Sequence, residues 1–262
     1  MTHFAGLFNF KSLAHKDRGG GLLMKRYDIF LKLAPVYVLT FILIFGLAAV
    51  IDRSVTAEYV SSSVQQRRCI IIDPGHGGID GGAISCTGQL ESNINLALSL
   101  RLNDLIHLLG YDTVMIRKTD ISVYTEGESI AQKKVSDLKN RVRIANEVHN
   151  GILISIHQNN FAQSQYSGAQ VFYTNTPGSD LLAKQLQSRI VQTINPGSNR
   201  KAKKSTGIYL MEHINCTGVL IECGFLSNPK EELLLQDPEY QKNFASVIAC
   251  ELSTYLDQCA AN

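Results

Sequence analysis

Short runs of branched aliphatic residues recur along the chain, separated by longer stretches with helical periodicity. Three of these runs are Cys69–Ile72, Ile152–Ile156 and Val219–Ile221. Runs that are this short and uniformly apolar are typical of strands buried on both faces of a parallel sheet. The pattern therefore predicts a sheet that is covered by helices on both faces.

Further elements are predicted between and after these runs. Helices are predicted at about Ser92–Leu109, from Ser136 onwards and near Ser179–Thr193, and carboxyl-terminal helices are predicted up to about Leu256. Further strands are predicted at Tyr111–Arg117, Ala169–Tyr173 and Ile208–Met211. Gly110 is suited to follow a helix C-terminus, and Ser136 is suited to cap a helix N-terminus. Lys118–Lys134 shows little periodicity and is predicted to be a surface excursion. The alternation predicts a single three-layer α/β domain over residues 68–258, with a mainly parallel or mixed sheet.

The amino-terminal region differs from the rest of the chain. Leu33–Ile51 contains no charged residue and is long enough to cross most of a bilayer. The basic leader, residues 1–32, predicts a cytoplasmic amino terminus and export of everything after Asp52. An uncleaved transmembrane anchor is favoured because the apolar run is long for a signal peptide, which stays open as the alternative. Polar, serine-rich residues 52–67 are predicted to be a tether.

The start of the chain carries a separate hypothesis. Gly19, Gly20 and Gly21 require consecutive GGN codons, and Met24 follows two residues later. A ribosome-binding site that is read as coding sequence produces this pattern. We therefore expect the natural start to be Met24.

Composition narrows the classes of function. The 262 residues carry a net charge of +2, with 45% hydrophobic and 18% charged residues, which is typical of a globular protein. No stripe of Lys and Arg alternates with aromatic residues, so no nucleic-acid partner is expected. The basic run 200–204 is interpreted as a solvated loop, with an acidic ligand such as polyanionic cell wall as the alternative.

Each of the three aliphatic runs leads into a residue that can bind a metal or move a proton. His76 follows the first run among several glycines, His157 closes the second, and Glu222 follows the third. Loops at the carboxyl ends of strands form the ligand crevice of open α/β sheets, so these side chains are expected to meet. Imidazole and carboxylate are the donors of hydrolytic zinc sites, which have three protein ligands and a water.

The roles of the carboxylates stay open on the residues alone. Glu91 at a helix start is either a ligand or a favourable charge against the helix dipole, and Glu126 and Glu128 are rival carboxylates.

Glu222 lies among aliphatic residues, where a carboxylate is costly unless it is paired or near a cation. We interpret it as the general base beside zinc. A buried ion pair with Arg117 or Arg141 is the structural alternative.

A family resemblance adds to this interpretation. The chain carries in order IIIDPGHGGIDGGA, Glu91, SDLKNRVRIAN, ILISIHQNN, SGAQVFY and VLIECGFLSN. It thereby resembles the zinc-dependent N-acetylmuramoyl-L-alanine amidases of the type 3 family over about Cys69 to Asn228. The resemblance implies one Zn²⁺ held by His76, Glu91 and His157, with Glu222 as the catalytic glutamate. It implies hydrolysis of the amide between N-acetylmuramic acid and L-alanine in peptidoglycan. Asn159 and Arg141 are further candidates for binding substrate.

Within this family the chain is most similar to the germination-specific amidases of the spore cortex. The supporting stretches are the anchor before the domain, RKAK leading into GIYLM, and LSNPKE. The resemblance implies removal of stem peptides before muramic δ-lactam forms in the cortex. The expected location is the outer side of the cell membrane, including the space between forespore and mother cell, or secretion if the leader is cleaved. A protein activator is an expected partner.

Three alternatives stay open. One is a general vegetative amidase in cell separation or autolysis, and another is a catalytically silent wall-binding module. The third is a metallopeptidase that cuts within the stem peptide, although the chain lacks an HExxH motif.

Overall fold

The computed structural model describes residues 32–48 and 68–260, which belong to two separate compact units. Residues 32–48 form helix α1, whose apolar side chains are largely exposed. No helix in either described range combines the length and the apolar character that crossing a bilayer requires. The predicted anchor extends to Ile51, so its last residues lie outside the described residues, as do the predicted tether and the Met24 start.

The second unit contains six strands and six helices within residues 68–260. The strands are β1 (Cys69–Pro74), β2 (Asp112–Met115), β3 (Gly151–Asn159), β4 (Gln170–Tyr173), β5 (Lys203–Lys204) and β6 (Thr217–Phe225). The helices are α2 (Glu91–Leu108), α3 (Ile130–Glu147), α4 (Ser179–Thr193), α5 (Tyr209–His213), α6 (Pro229–Gln236) and α7 (Pro238–Ala260). The predicted helix at Ser179–Thr193 is confirmed at both ends.

The strands form one sheet in the order β2-β1-β3-β6-β4-β5. Strand β4 runs antiparallel to β6, and every other neighbouring pair is parallel. The predicted α/β class is therefore confirmed, and of the two sheet types expected the sheet is mixed. The carboxyl ends of β1, β3 and β6 meet at one edge, and β4 begins at that same edge.

Both faces of the sheet are buried. Alternate residues of β1 show this, since Ile70 and Ile72 belong to the core cluster that includes residues of α2, α4 and α7, while Ile71 belongs to the cluster that includes residues of α3 and α5. All three isoleucines are fully buried. The uniformly apolar character of the strand runs is thus explained by helices on two sides.

The predicted start of α3 is wrong. The helix begins at Ile130, and Ser129 caps it through a reciprocal pair of hydrogen bonds with Gln132. The hydroxyl of Ser136 instead accepts hydrogen bonds from the backbone amides of Thr125 and Glu126. Ser136 therefore holds the preceding loop rather than the helix end.

The predicted strand at Ile208–Met211 is also wrong, because α5 occupies this segment. An apolar run of four residues does not distinguish a short strand from a buried helical turn. Leu210 and Met211 are buried in the second core cluster. The edge strand β5 lies instead in the basic run that was expected to be a loop, where it pairs with β4.

Candidate active site

The loop after β1 places His76 at the carboxyl edge of the sheet. His76 has a φ of +60°, which is uncommon for a residue with a side chain, and Gly77 and Gly78 follow with positive φ. At Gly75 an added Cβ would lie 2.3 Å from ring atoms of His157. Only glycine allows the β1 loop to pass this close to the second histidine.

Two buried arginines hold this loop. The Nε atom of Arg117 donates to the carbonyl of Pro74 at 2.9 Å, and its Nη2 donates to the carbonyl of Gly75 at 2.9 Å. Arg141 donates to the carbonyls of Pro74 at 3.0 Å and His76 at 2.6 Å. Both arginines are only 2% exposed. Charged hydrogen bonds thus fix the strained backbone at His76.

Arg141 was also a candidate for binding substrate. Its guanidinium also pairs with Asp73 and Asp137. Burial lowers the pKa of Arg141, but these two carboxylates outweigh that effect and raise it. The predicted substrate contact does not fit a side chain that is buried beneath the loop. The alternative of an ion pair between Glu222 and Arg117 or Arg141 is also wrong: no such pair occurs among the described residues, and Arg141 pairs with Asp73 and Asp137.

Glu91, the first residue of α2, bridges the two histidines. Its Oε2 lies 3.2 Å from Nε2 of His76, and its Oε1 lies 3.1 Å from Nδ1 of His157. The backbone amides of Ala83 and Gln158 donate to the same carboxylate. Burial alone would raise the pKa of Glu91, but its hydrogen bonds to both histidines outweigh burial and lower it strongly.

Asp80 orients the first histidine from outside the cluster. Its Oδ2 lies 2.9 Å from Nδ1 of His76, and its Oδ1 lies 2.8 Å from Nζ of Lys134. A proton on Nδ1 donated to Asp80 leaves Nε2 facing Glu91, which is the arrangement that metal-binding histidines adopt. Burial lowers the pKa of His76, but Glu91 and Asp80 together raise it to about 9.

His76, Glu91 and His157 form one cluster, with ligand atoms within 4.8 Å of one another. It is the one group of three or more metal-binding side chains of this kind in residues 32–48 and 68–260. Two imidazoles, one carboxylate and an outer carboxylate on His76 are a donor set that fits catalytic zinc. The rival carboxylates Glu126 and Glu128 lie exposed in the loop before α3, outside this cluster.

Glu222 lies on β6 directly opposite His157 on β3. Its Oε2 atom is buried and has no hydrogen-bond partner among the described residues. Burial raises the pKa of this carboxyl to about 7, Glu91 adds to the rise, and the two histidines oppose it. An unpaired buried oxygen beside the cluster is free to accept a proton.

Some site residues were not foreseen from the sequence. Asn95 donates to Glu91 Oε1 and to the carbonyl of Gly75, and Asp80 orients His76. Asn95 follows Glu91 by four residues, so helical spacing carried a usable signal. Asn159 ends β3 opposite Phe225 and is half-buried, and its role in substrate binding stays a prediction.

Comparison with known proteins identifies the family. The model of the N-acetylmuramoyl-L-alanine amidase family matches residues 70–253, which contain the whole cluster and Glu222. The chain belongs to this amidase family. The predicted enzyme class is thereby confirmed: the amidase hydrolyses the amide bond between N-acetylmuramic acid and L-alanine in peptidoglycan.

Relatives and solved structures agree with this assignment. The germination-specific N-acetylmuramoyl-L-alanine amidase of Bacillus subtilis is 39% identical over 184 residues, covering 69% of this amidase and 76% of that relative. The CwlD amidase of Clostridioides difficile, solved in complex with the GerS lipoprotein, is 40% identical with a TM-score of 0.70, over 73% of this chain and 99% of that one. A further amidase from Clostridium difficile 630 is 31% identical with a TM-score of 0.63, over 73% and 97% of the two chains.

Proposed function

We propose that this amidase uses one Zn²⁺ to strip stem peptides from the peptidoglycan of the spore cortex. The observation that supports the proposal is the cluster of His76, Glu91 and His157 beside the unpaired Oε2 of Glu222. A silent wall-binding module on this fold would need neither a complete ligand set nor a buried base.

The chain's own residues suit this hydrolysis. When bound, zinc supplies Lewis acidity toward the amide carbonyl and lowers the pKa of a water molecule. Glu222 accepts the proton of the attacking water at Oε2 and delivers it to the departing amine of L-alanine. Asp80 holds the imidazole of His76 in one orientation through Nδ1. A carboxyl whose pKa lies near neutrality can serve as base and then as acid.

Zinc content tests the ligand set independently of activity. We expect His157→Gln to lower bound zinc from one ion per chain to a small fraction, because loss of one of three protein ligands removes a large part of the affinity. His213→Gln is the matched control, since this exposed histidine lies in α5. Elemental analysis of the purified full chain measures both, and a fully loaded His157→Gln protein would contradict the proposed site.

The role in the cortex is supported by the 39% identity to a germination-specific relative. A general vegetative amidase is the alternative. Deletion of the gene, followed by analysis of cortex muropeptides, separates the two. We expect the muramic δ-lactam to disappear from the cortex of the deleted strain while vegetative cells still separate. Chained vegetative cells with normal δ-lactam would favour the alternative.

We also propose that the catalytic unit acts outside the cytoplasmic membrane, held there by residues 33–51. The uncharged sequence of residues 33–51 and the basic leader before it support an anchor. Mass spectrometry of the native amino terminus distinguishes an uncleaved anchor from a removed signal peptide.

A protein partner is also proposed. Because the similar CwlD amidase was solved in complex with a lipoprotein, we expect an accessory lipoprotein as the partner. Co-purification from sporulating cells tests this expectation.

A further inference from the structure

Two half-exposed aromatic rings lie in the loop between β3 and β4. Phe161 is 51% exposed and Tyr166 is 45% exposed, and their ring centroids are 5.6 Å apart. Both stack on the buried ring of Phe225 on β6, at centroid distances of 5.6 and 6.2 Å and interplanar angles of 28° and 29°. We call Phe161, Tyr166 and Phe225 the aromatic platform.

The exposed rings are held in place by the turn after β6. The backbone amide of Phe161 donates to Oγ of Ser227 at 3.1 Å. The side chain of Asn228 donates to the carbonyl of Tyr166 at 3.2 Å. Because both ends of the loop are tied to one turn, a ligand that stacks on the rings spends little free energy on ordering them.

The platform adjoins the catalytic edge of the sheet. Strands β3 and β6 are neighbours, with His157 opposite Glu222 and, further along, Asn159 opposite Phe225. The loop that carries Phe161 begins directly after Asn159. The backbone amide of Leu226 also donates to the carbonyl of Asn159 at 2.8 Å, which joins the two strand ends at this edge.

The chemistry of the substrate indicates what the platform binds. Only a lactyl group separates the cleaved amide from the ring of muramic acid, so sugar rings lie beside Glu222 whenever the amide is in place. A pyranose ring presents a face of C–H groups that packs on a flat aromatic ring, which also contributes a large apolar area. We propose that the aromatic platform is the subsite for the N-acetylhexosamine rings of the glycan strand. This inference rests on the amidase function and extends it to the polymer.

Arg200 connects the platform with a polar cleft. Its Cζ lies 4.8 Å from the ring centroid of Phe225, and its Nε donates to the carbonyl of Ser167 at 2.9 Å. The cleft has a volume of about 920 Å³ and is lined by Arg200, Asn195 and Lys201 among others. Amide and cationic side chains offer partners to the hydroxyl and acetamido groups of a strand that continues beyond the platform.

Binding of peptide-free glycan strands to the purified full chain tests this inference. The probe is the alternating polymer of N-acetylglucosamine and N-acetylmuramic acid, and calorimetry measures its affinity. The double variant Phe161→Leu, Tyr166→Leu keeps apolar cover over Phe225 but removes both flat rings. We expect its affinity for the polymer to fall about tenfold, because two aromatic contacts of ordinary strength combine to that factor.

Two controls keep the outcomes distinct. Leu108→Ala removes an apolar side chain that is 82% exposed at the far end of α2 and is expected to leave binding unchanged. If the double variant unfolds, the single variant Tyr166→Leu is expected to lose about threefold. Unchanged affinity in a folded double variant overturns the inference. A wild-type protein that binds the polymer but releases no peptide from intact peptidoglycan overturns the proposed function and leaves the subsite standing.

Discussion

At the residue scale, environment gives the two carboxylates Glu91 and Glu222 different roles. Glu91 receives hydrogen bonds from both histidines, which hold its pKa far below the usual range despite burial. Glu222 has no such partner at Oε2, and burial raises its pKa to about 7. Pairs of acidic groups whose pKa values are pushed apart in this way identify the ligand and the base.

The assignment of Glu222 as base predicts the behaviour of one isosteric variant. Glu222→Gln is expected to keep bound zinc and to lose activity by about 10²- to 10⁴-fold, the usual contribution of general acid–base catalysis. Release of free L-alanine amino termini measures the rate, and elemental analysis measures the metal. An active Glu222→Gln protein with full zinc would show that another group takes the proton.

The raised pKa of His76 predicts that zinc affinity depends on pH. Without metal, His76 is protonated below about pH 9, and a zinc ligand must be deprotonated. Apparent zinc affinity of the metal-free protein should therefore rise by up to about tenfold per pH unit between pH 6.5 and 8.5. Asp80→Asn removes one cause of the raised pKa and should flatten this dependence. Competition with a chelator measures it, and an affinity independent of pH would contradict the assignment.

Contacts at this scale show why sequence reasoning found some residues and missed others. The three proposed zinc ligands and the proposed base either follow apolar runs or belong to the ordered family motifs, so the sequence was enough to predict them. The part played by Arg117 was not, because its side chain binds backbone carbonyls more than forty positions away along the chain. Every residue has a backbone carbonyl group, so the sequence does not show which carbonyl groups a side chain will bind.

At the element scale, the β1 loop depends on the helix that carries Arg141. Removing one partner of a buried ion pair leaves the other charge uncompensated, which costs about 3–5 kcal/mol. We therefore expect Arg141→Gln to lower the free energy of unfolding by about that amount, since Asp73 stays buried.

The neighbouring Arg143 supplies the matched control for this variant. Its ion pair with Glu147 on the same helix is exposed at both ends. Arg143→Gln should change stability by less than about 0.5 kcal/mol. Urea denaturation of the metal-free protein measures both variants, and equal losses would show that burial of the Arg141 pair has no special role.

The bounds of the predicted helices agree with the structure to different degrees. Helix α4 is confirmed over its whole length, whereas α3 begins six residues before the predicted cap. Gln132 follows Ser129 at the spacing of a capping box, a signal in the sequence that was missed, whereas Ser136 holds the preceding loop.

At the scale of the whole molecule, strand order brings the site together. The order β1-β3-β6 places the ends that carry His76, His157 and Glu222 side by side. The class of fold followed from alternating strands and helices. The reversal of β4 did not, because the hydrophobic pattern of a strand of four residues does not depend on the direction in which the strand runs.

Product analysis of intact cortex peptidoglycan shows which bond the amidase cuts and whether the reaction needs zinc. Purified full chain, with zinc or after removal of metal by a chelator, is incubated with the polymer, and mass spectrometry identifies every new end. We expect intact stem peptides with a free L-alanine amino terminus, released with zinc and absent without it. Cleavage within the stem peptide, or equal release after metal removal, would contradict this expectation.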